Sequence, residues 1–344
     1  MKYIRSVFIR LKNNSVTLIL IGLLIILLFT MGVMDKNFLT GSNFSSIASQ
    51  IPELGILTLA MMITMITGGI NLSIVASANL SSILMGLLVI RFAEDSVVPM
   101  PFAIAITIVV GLGVSAIIGL INGLVIVKLR VTPMVATLST QLLIDGVSIA
   151  ITKGYVVNGI PQEFMQIAAT QVFKIPLVFI VFIACSLAVA LMLYKTPMGK
   201  SLYMYGSNNV ATAFSGVNCN RLIIDNYILS NVLAGVTAVI MLARFNSASV
   251  GYSTSYLLQT VLICVLGGLN PNGGNGRVFD VLLAVIVLRL VSNGFNLLSI
   301  SSYLTTAIWG LLLLAVLAIR TNDGKTRKGS VLIKTSSIKG GKKE

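Results

Sequence analysis

Phe102 to Val127 reads FAIAITIVVGLGVSAIIGLINGLVIV, 26 residues without a single charge. Such a run is costly to solvate in water. As a helix of about 17–25 apolar residues or slightly more it crosses a bilayer and satisfies its own amides there. Working outward from it, further apolar runs recur at 16–34, 51–67, 74–92, 132–152, 175–194, 226–243, 256–269, 278–291 and 303–319. The two shortest, 256–269 and 278–291, are compatible with re-entrant segments or with extension by polar residues, so the expectation is about ten spans. Of the 344 residues 56% are hydrophobic and 10% charged, against about 25% charged in soluble domains, and the mean hydropathy is +0.98. Weakly alternating ten-residue segments, the mark of a membrane barrel, are missing. The fold class expected is an all-α polytopic membrane protein.

The net charge of +14 is distributed by topology. With the N-terminus cytoplasmic, that side holds Lys2, Arg5, Arg10, Lys12, Lys128, Arg130, Lys195, Lys200, Arg221, Arg277 and eight tail residues from Arg320, 18 of the 24 basic residues. The other side holds Lys36, Arg91, Lys153, Lys174 and Arg244, and Arg289 lies inside a span. This is the positive-inside pattern, so both termini are expected in the cytoplasm. It argues against nucleic acid as a partner. The organisation expected is a basic N-terminal tail (1–15), a transmembrane domain (16–319) with a cytoplasmic segment at 195–225, and a disordered basic tail (320–344) that tethers to anionic membrane lipid. The first run exceeds a signal-peptide core and lacks a small-residue cleavage site before Asp35, which favours a retained anchor. Cys185, Cys219 and Cys264 form no CxxC pair and histidine is absent, so neither disulfides nor zinc have support, and the cysteines are expected to be packing residues.

Two polar segments stand out. In Tyr194–Asp225, Val210, Phe214 and Val217 fall on one helical face. Ser207 or Asn208 can cap that helix and Gly216 can end it. The helix packs on its own protein or docks a soluble partner. The second segment, Leu266–Arg277, reads LGGLNPNGGNGR. Its glycines permit tight turns and close backbone approach, which hydrocarbon tolerates only where protein or a water-filled cavity satisfies the amides. Its Gly267-Gly268-Leu269-Asn270 echoes Gly68-Gly69-Ile70-Asn71, a weak sign of internal duplication.

Enzymatic motifs fail. A P-loop ending at Gly199-Lys200-Ser201 needs its first glycine where Tyr194 stands, and a dinucleotide fingerprint from Gly274 needs a glycine where Phe279 stands. Scattered acidic residues without histidine assemble no metal or triad site. An ion-coupled carrier would use a buried carboxylate, and Asp145 is the best candidate for that alternative.

Four motifs occur in order: ITGGINLS (Ile66–Ser73), YGSNNVATAFSGVNCNRLII (Tyr205–Ile224), ARFNSASVGY leading into VLGG (Ala243–Gly268), and GGNGRV followed by SNGFNLLSISSY (Gly273–Tyr303). With them the chain, from about residue 40 to 319, resembles the permease subunits of ribose-type ABC importers, the sugar and furanosyl-signal branch. The resemblance implies a bundle of about ten helices in the bacterial inner membrane with no cofactor and no ATPase site of its own. ATP would be bound by a cytoplasmic ATPase dimer docked on a coupling helix. A second permease subunit would complete the path, and an external binding protein would deliver a sugar or sugar-like solute to loops near 35–50, 153–174 and 244–255.

Coupling would fall to Asn209, Ala211, Thr212, Phe214 and Gly216, with Phe214 as the apolar anchor. Thr67, Asn71 and Ser73, and more weakly Asn293 and Asn296, are candidate path-lining residues. They serve equally as caps and interhelical hydrogen bonds at a break. The breaks themselves are Gly68, Gly69, Gly267, Gly268, Gly273, Gly274 and Gly276. Three carboxylates usual in the family are neutral here, at Asn71, at Asn209 and within Tyr256-Leu257-Leu258-Gln259. Either a different second permease retains them, which is the preferred account, or a homodimer has adapted to another substrate or ATPase.

Overall fold

The computed structural model describes residues 15–34, 38, 40–95, 98–172, 175–316 and 318. The expected tails, 1–14 and 320–344, lie outside the described residues. The elements in chain order are α1 (Ser15–Met34), α2 (Gly41–Ile66), α3 (Ile74–Asp95), α4 (Met100–Leu129), α5 (Pro133–Thr152), β1 (Val157–Asn158), α6 (Gln162–Ala169), β2 (Gln171–Val172), β3 (Ile175–Pro176), α7 (Leu177–Lys195), α8 (Pro197–Ser207), α9 (Asn209–Phe214), α10 (Cys219–Phe245), β4 (Ser247–Ala248), α11 (Tyr256–Leu266), α12 (Val278–Leu297) and α13 (Ser302–Val316). Two short antiparallel ladders, β1 with β4 and β2 with β3, are the strands among the described residues.

Among the described residues, eight helices are long and apolar enough to span a membrane: α1–α5, α7, α10 and α12. The shorter apolar helices α11 and α13 bring the bundle to the expected ten. Two boundaries differ from the hydropathy reading. α2 starts at Gly41 because the polar run GSNFSSIASQ is itself helical, with Thr40 accepting from the Asn43 amide at 3.4 Å. α12 runs on to Leu297 and is a full span, whereas α11 has only 11 residues. At about 1.5 Å per residue it covers roughly half of the ~30 Å hydrocarbon core.

Local chemistry sets the ends. Thr132 and Pro133 open α5, and Thr196 and Pro197 open α8, proline taking the first helical turn where its missing N–H is harmless. α2 ends with Gly69 N–H bonded to Thr64 O at 3.1 Å and Gly68 N–H to Met65 O at 3.0 Å, Gly68 having φ 79°. α11 ends the same way, Leu269 to Cys264 at 3.0 Å and Gly268 to Val265 at 3.1 Å, Gly268 having φ 90°. These are paired Schellman caps. The left-handed residue is the first glycine of one pair and the second of the other, so the echoing motifs are one residue out of register.

At the centre, α10 packs on α4, α2 and α3. Its closest approach is to the Gly119-Leu120-Ile121-Asn122-Gly123 stretch of α4. A Cβ on Gly119 would lie 2.5 Å from Tyr227 O, and one on Gly123 2.7 Å from Ile224 Cα. Small residues four apart let backbones touch where dispersion, not the hydrophobic effect, holds helices together in lipid. Gly113 on the same helix has open space around it. Gly119→Ala should therefore cost about 1–3 kcal/mol by overpacking, and Gly113→Ala nothing. Thermal unfolding of the detergent-solubilised protein, followed by size-exclusion, checks this; equal melting of both variants would contradict the close α4–α10 contact.

Candidate functional site

The glycine-rich segment is not wrapped around an empty phosphate cradle; its backbone is pressed against two other pieces of the chain. Gly274 N–H donates to Ile66 O at the end of α2, at 2.9 Å. A Cβ on Gly273 (φ 90°) would sit 2.7 Å from Gly68 N and 3.1 Å from Gly206 Cα. A Cβ on Gly206, near the end of α8, would overlap Ile66 O and come within 2.5 Å of Gly274 N. Three backbones thus cross with no side chain between them. Around this junction Tyr203 Oη donates to Gly276 O at 2.8 Å, and Val278 N–H donates to Tyr194 Oη at 3.0 Å. Burial raises the Tyr203 phenol above its ordinary range, so it remains a donor throughout physiological pH.

The break after α2 is held by neutral polar side chains. Asn71, fully buried, donates to Ser230 Oγ at 3.0 Å and accepts from Ser73 Oγ at 2.8 Å. Ser230 Oγ donates to Ala60 O at 2.9 Å, and Asn122 Nδ2 donates to Ser73 Oγ at 2.8 Å. Thr137 of α5 bonds both sides of the break, accepting from Leu72 N and donating to Ile70 O. Asn226 donates to Ile63 O at 3.1 Å and lies 3.4 Å from Thr67 Oγ1. Thr67, Asn71 and Ser73 are thus engaged with α2, α4 and α10.

The segment 195–225 contains two helices rather than the one expected. Sequence reading missed α8, although Thr196-Pro197 is a start signal and Thr196 Oγ1 accepts from Gly199 N at 3.2 Å. α9 is capped by Asn208, whose Oδ1 accepts from Ala211 N at 3.0 Å, and is followed by Gly216 at φ 82°. Val210 and Phe214 point outward, 59% and 89% exposed, while Val217 turns toward the core and Thr212 is buried. Asn209 and Ala211 are exposed beside them. A groove of about 360 Å³ between α8 and α9 is lined by Tyr203, Met204, Ser207, Ala211 and Thr212.

At the other end of α2, α11 and α12 lies a second cavity, about 240 Å³ and mostly polar, with Gln50, Tyr256, Gln259, Arg289, Asn293 and Trp309 on its wall. Asn296 also lines it, and Asn293 exchanges hydrogen bonds with Asn43 at 3.1 Å. Beneath it Glu53 is fully buried, paired with Arg244 at 2.5 Å and accepting from Tyr256 Oη at 3.2 Å. Arg289, 8% exposed, donates to Gln50 Oε1 at 2.9 Å. Glu53, Arg244 and Arg289 stand far apart in the sequence; the signal for their union was that each lies in or beside an apolar span, where charge is rarely idle. Asp145, the carboxylate of the carrier alternative, is half-buried on α5, and Asp280 accepts from Thr17 at 2.6 Å, fastening α1 to α12.

The profile of a family described as "Branched-chain amino acid transport system / permease component" matches residues 43–317. The ribose import permease protein RbsC of Bacillus subtilis (strain 168) is 30% identical over 300 residues, covering 86% of this chain and 90% of that relative. The autoinducer 2 import system permease protein LsrD is 29% identical over 310 residues in Escherichia coli (strain K12), with 88% and 91% covered, and equally so in Escherichia coli O157:H7. No solved structure shows a significant match to the chain. The chain belongs to this permease family, as a multi-pass membrane subunit of the ribose type.

Proposed function

We propose that this chain is the membrane-spanning half of an ATP-driven importer that carries a sugar or sugar-like small solute. ATP is bound and hydrolysed on a separate cytoplasmic ATPase dimer. A second permease subunit, in the preferred account a different one that retains the missing carboxylates, completes the path. An external binding protein delivers the solute. The membrane is the bacterial inner membrane and both termini are cytoplasmic, as the basic residues at 128, 130, 195, 200, 221 and 277 support. The names of the relatives, ribose and autoinducer 2 permeases, support the solute class.

The observation that carries this reading is the exposed Phe214–Val210 face on a helix whose neighbour, α8, is in backbone contact with the end of α2 and with the loop at Gly273–Gly274. Work done on α9 by a closing ATPase reaches α2 and the 267–277 loop through a contact that has no flexible side chain in it. From there α2, α11 and α12 run to the polar cavity at the other end. Only a bistable bundle whose states bind each partner differently converts such a push into alternating access.

Phe214→Ala removes an apolar anchor of the kind whose truncation costs about 2 kcal/mol or more, which is a loss of at least about 30-fold in ATPase association. Import and substrate-stimulated ATP hydrolysis should fall together while membrane insertion persists; unchanged import would remove the coupling assignment. Gly206→Ala acts further along. The ATPase should still co-purify with this variant, yet uptake in reconstituted vesicles should drop, because the added methyl pushes Ile66 O and Gly274 N apart. Asp145→Asn should leave uptake intact. A carrier driven by ions would instead lose uptake in that variant and on addition of an uncoupler at constant ATP.

A further inference from the structure

The cavity between α2, α11, α12 and α13 has charge and donors left over. The cluster beneath it holds two guanidiniums and one carboxylate: Glu53 lies within electrostatic reach of both Arg244 and Arg289, and its hydrogen bonds come from Arg244 and Tyr256. Arg289 bonds a neutral amide, Gln50, and its Nε is buried without a partner. No other charged residue among the described ones lines the cavity. The indole Nε1 of Trp309, on the same wall, is also buried without a partner. Both orphan groups are donors. A buried donor left unpaired costs free energy, and an excess cation inside a span costs more. What the cavity lacks is an acceptor that carries negative charge.

The rest of the wall describes the remainder of the ligand. Gln259, Asn293 and Asn296 offer neutral amides that suit hydroxyl groups. The Arg289 guanidinium lies 5.9 Å from the Tyr256 ring centroid, which keeps it over the ring and beside the opening. We infer that this cavity is a solute-binding subsite for a sugar acid, a polyhydroxylated carboxylate whose anionic group sits on Arg289 and Trp309 Nε1. The inference rests on the importer reading and narrows its substrate.

Trp309 is the only tryptophan of the chain, so intrinsic fluorescence of the purified full-length permease in lipid vesicles reads this cavity directly. D-galacturonate and D-ribonate are titrated against D-galactose, D-ribose and D-ribose 5-phosphate. The acids should quench at concentrations at least about tenfold lower than the neutral sugars, as expected for a charge-assisted hydrogen bond gained. Arg289→Gln should bring acid and neutral sugar to parity while neutral-sugar quenching persists, which shows the variant is folded; Arg289→Lys should keep the preference. Equal or tighter binding of neutral sugars by the unmodified protein overturns the anion and leaves the sugar importer standing. Preference for the phosphate over both acids overturns the carboxylate assignment. Quenching by none of them overturns the subsite, and the importer reading then stands or falls on Phe214 alone.

Discussion

The crossing of three backbones at Gly68, Gly206 and Gly273 is the constraint on which the rest of the molecule turns. A Cβ at Gly206 would overlap the carbonyl of Ile66, and a Cβ at Gly273 would press on Gly68 N. The end of α2, the end of α8 and the loop before α12 are therefore in contact as backbone, and a displacement of one is passed to the others without the slack of side-chain rotamers. The short α11 belongs to the same design. It stops at Gly267 because the following residues must fold under α2, so its remaining path is made of turns that the junction itself satisfies. Hydrocarbon permits irregular backbone only under that condition.

The neutral residues at the break have a chemical logic. Asn71 both donates, to Ser230, and accepts, from Ser73. An aspartate at this position would accept only, leaving Ser230 without that donor while adding a buried charge. The amide of Asn71 is thus fitted to a serine on α10. The polar residues around it, Thr137 and Asn226 among them, bind loose amide and carbonyl groups of the break to α5 and α10. At the far end the opposite solution is used: the fully buried Glu53 is paired with the partly exposed Arg244, and a carboxylate is tolerated there because its partner offsets part of the desolvation penalty.

Much of this was legible before the structure. The apolar runs at 74–92, 102–127 and 175–194 correspond closely to α3, α4 and α7, because hydropathy reports the one property a lipid-facing helix must have. Asn208 as a cap, Gly216 as a stop and Phe214 as an outward residue followed from local pattern. What escaped was set by other chains of reasoning. α8 was not recognised because its role is contact through glycine, which has no pattern. The first ten residues of α2 looked like a loop because their polar side chains line an end of the bundle where polarity is not a penalty. Arg289, Glu53 and Arg244 stand apart in the sequence, and separations of 191 positions from Glu53 to Arg244 and 45 from Arg244 to Arg289 hid the cluster.

The amino-acid sequence by itself determined that this chain lives in a bilayer, where most of its long apolar helices run, and where they break at paired glycines. Each of these depends on a residue's own transfer energy or on its own backbone freedom. The tertiary structure alone decided which breaks touch, that Gly206 lies between two of them, and that a guanidinium on α12 shares its enclosure with Gln50 and Trp309. Those facts depend on distances between residues far apart along the chain, and no local propensity encodes a distance.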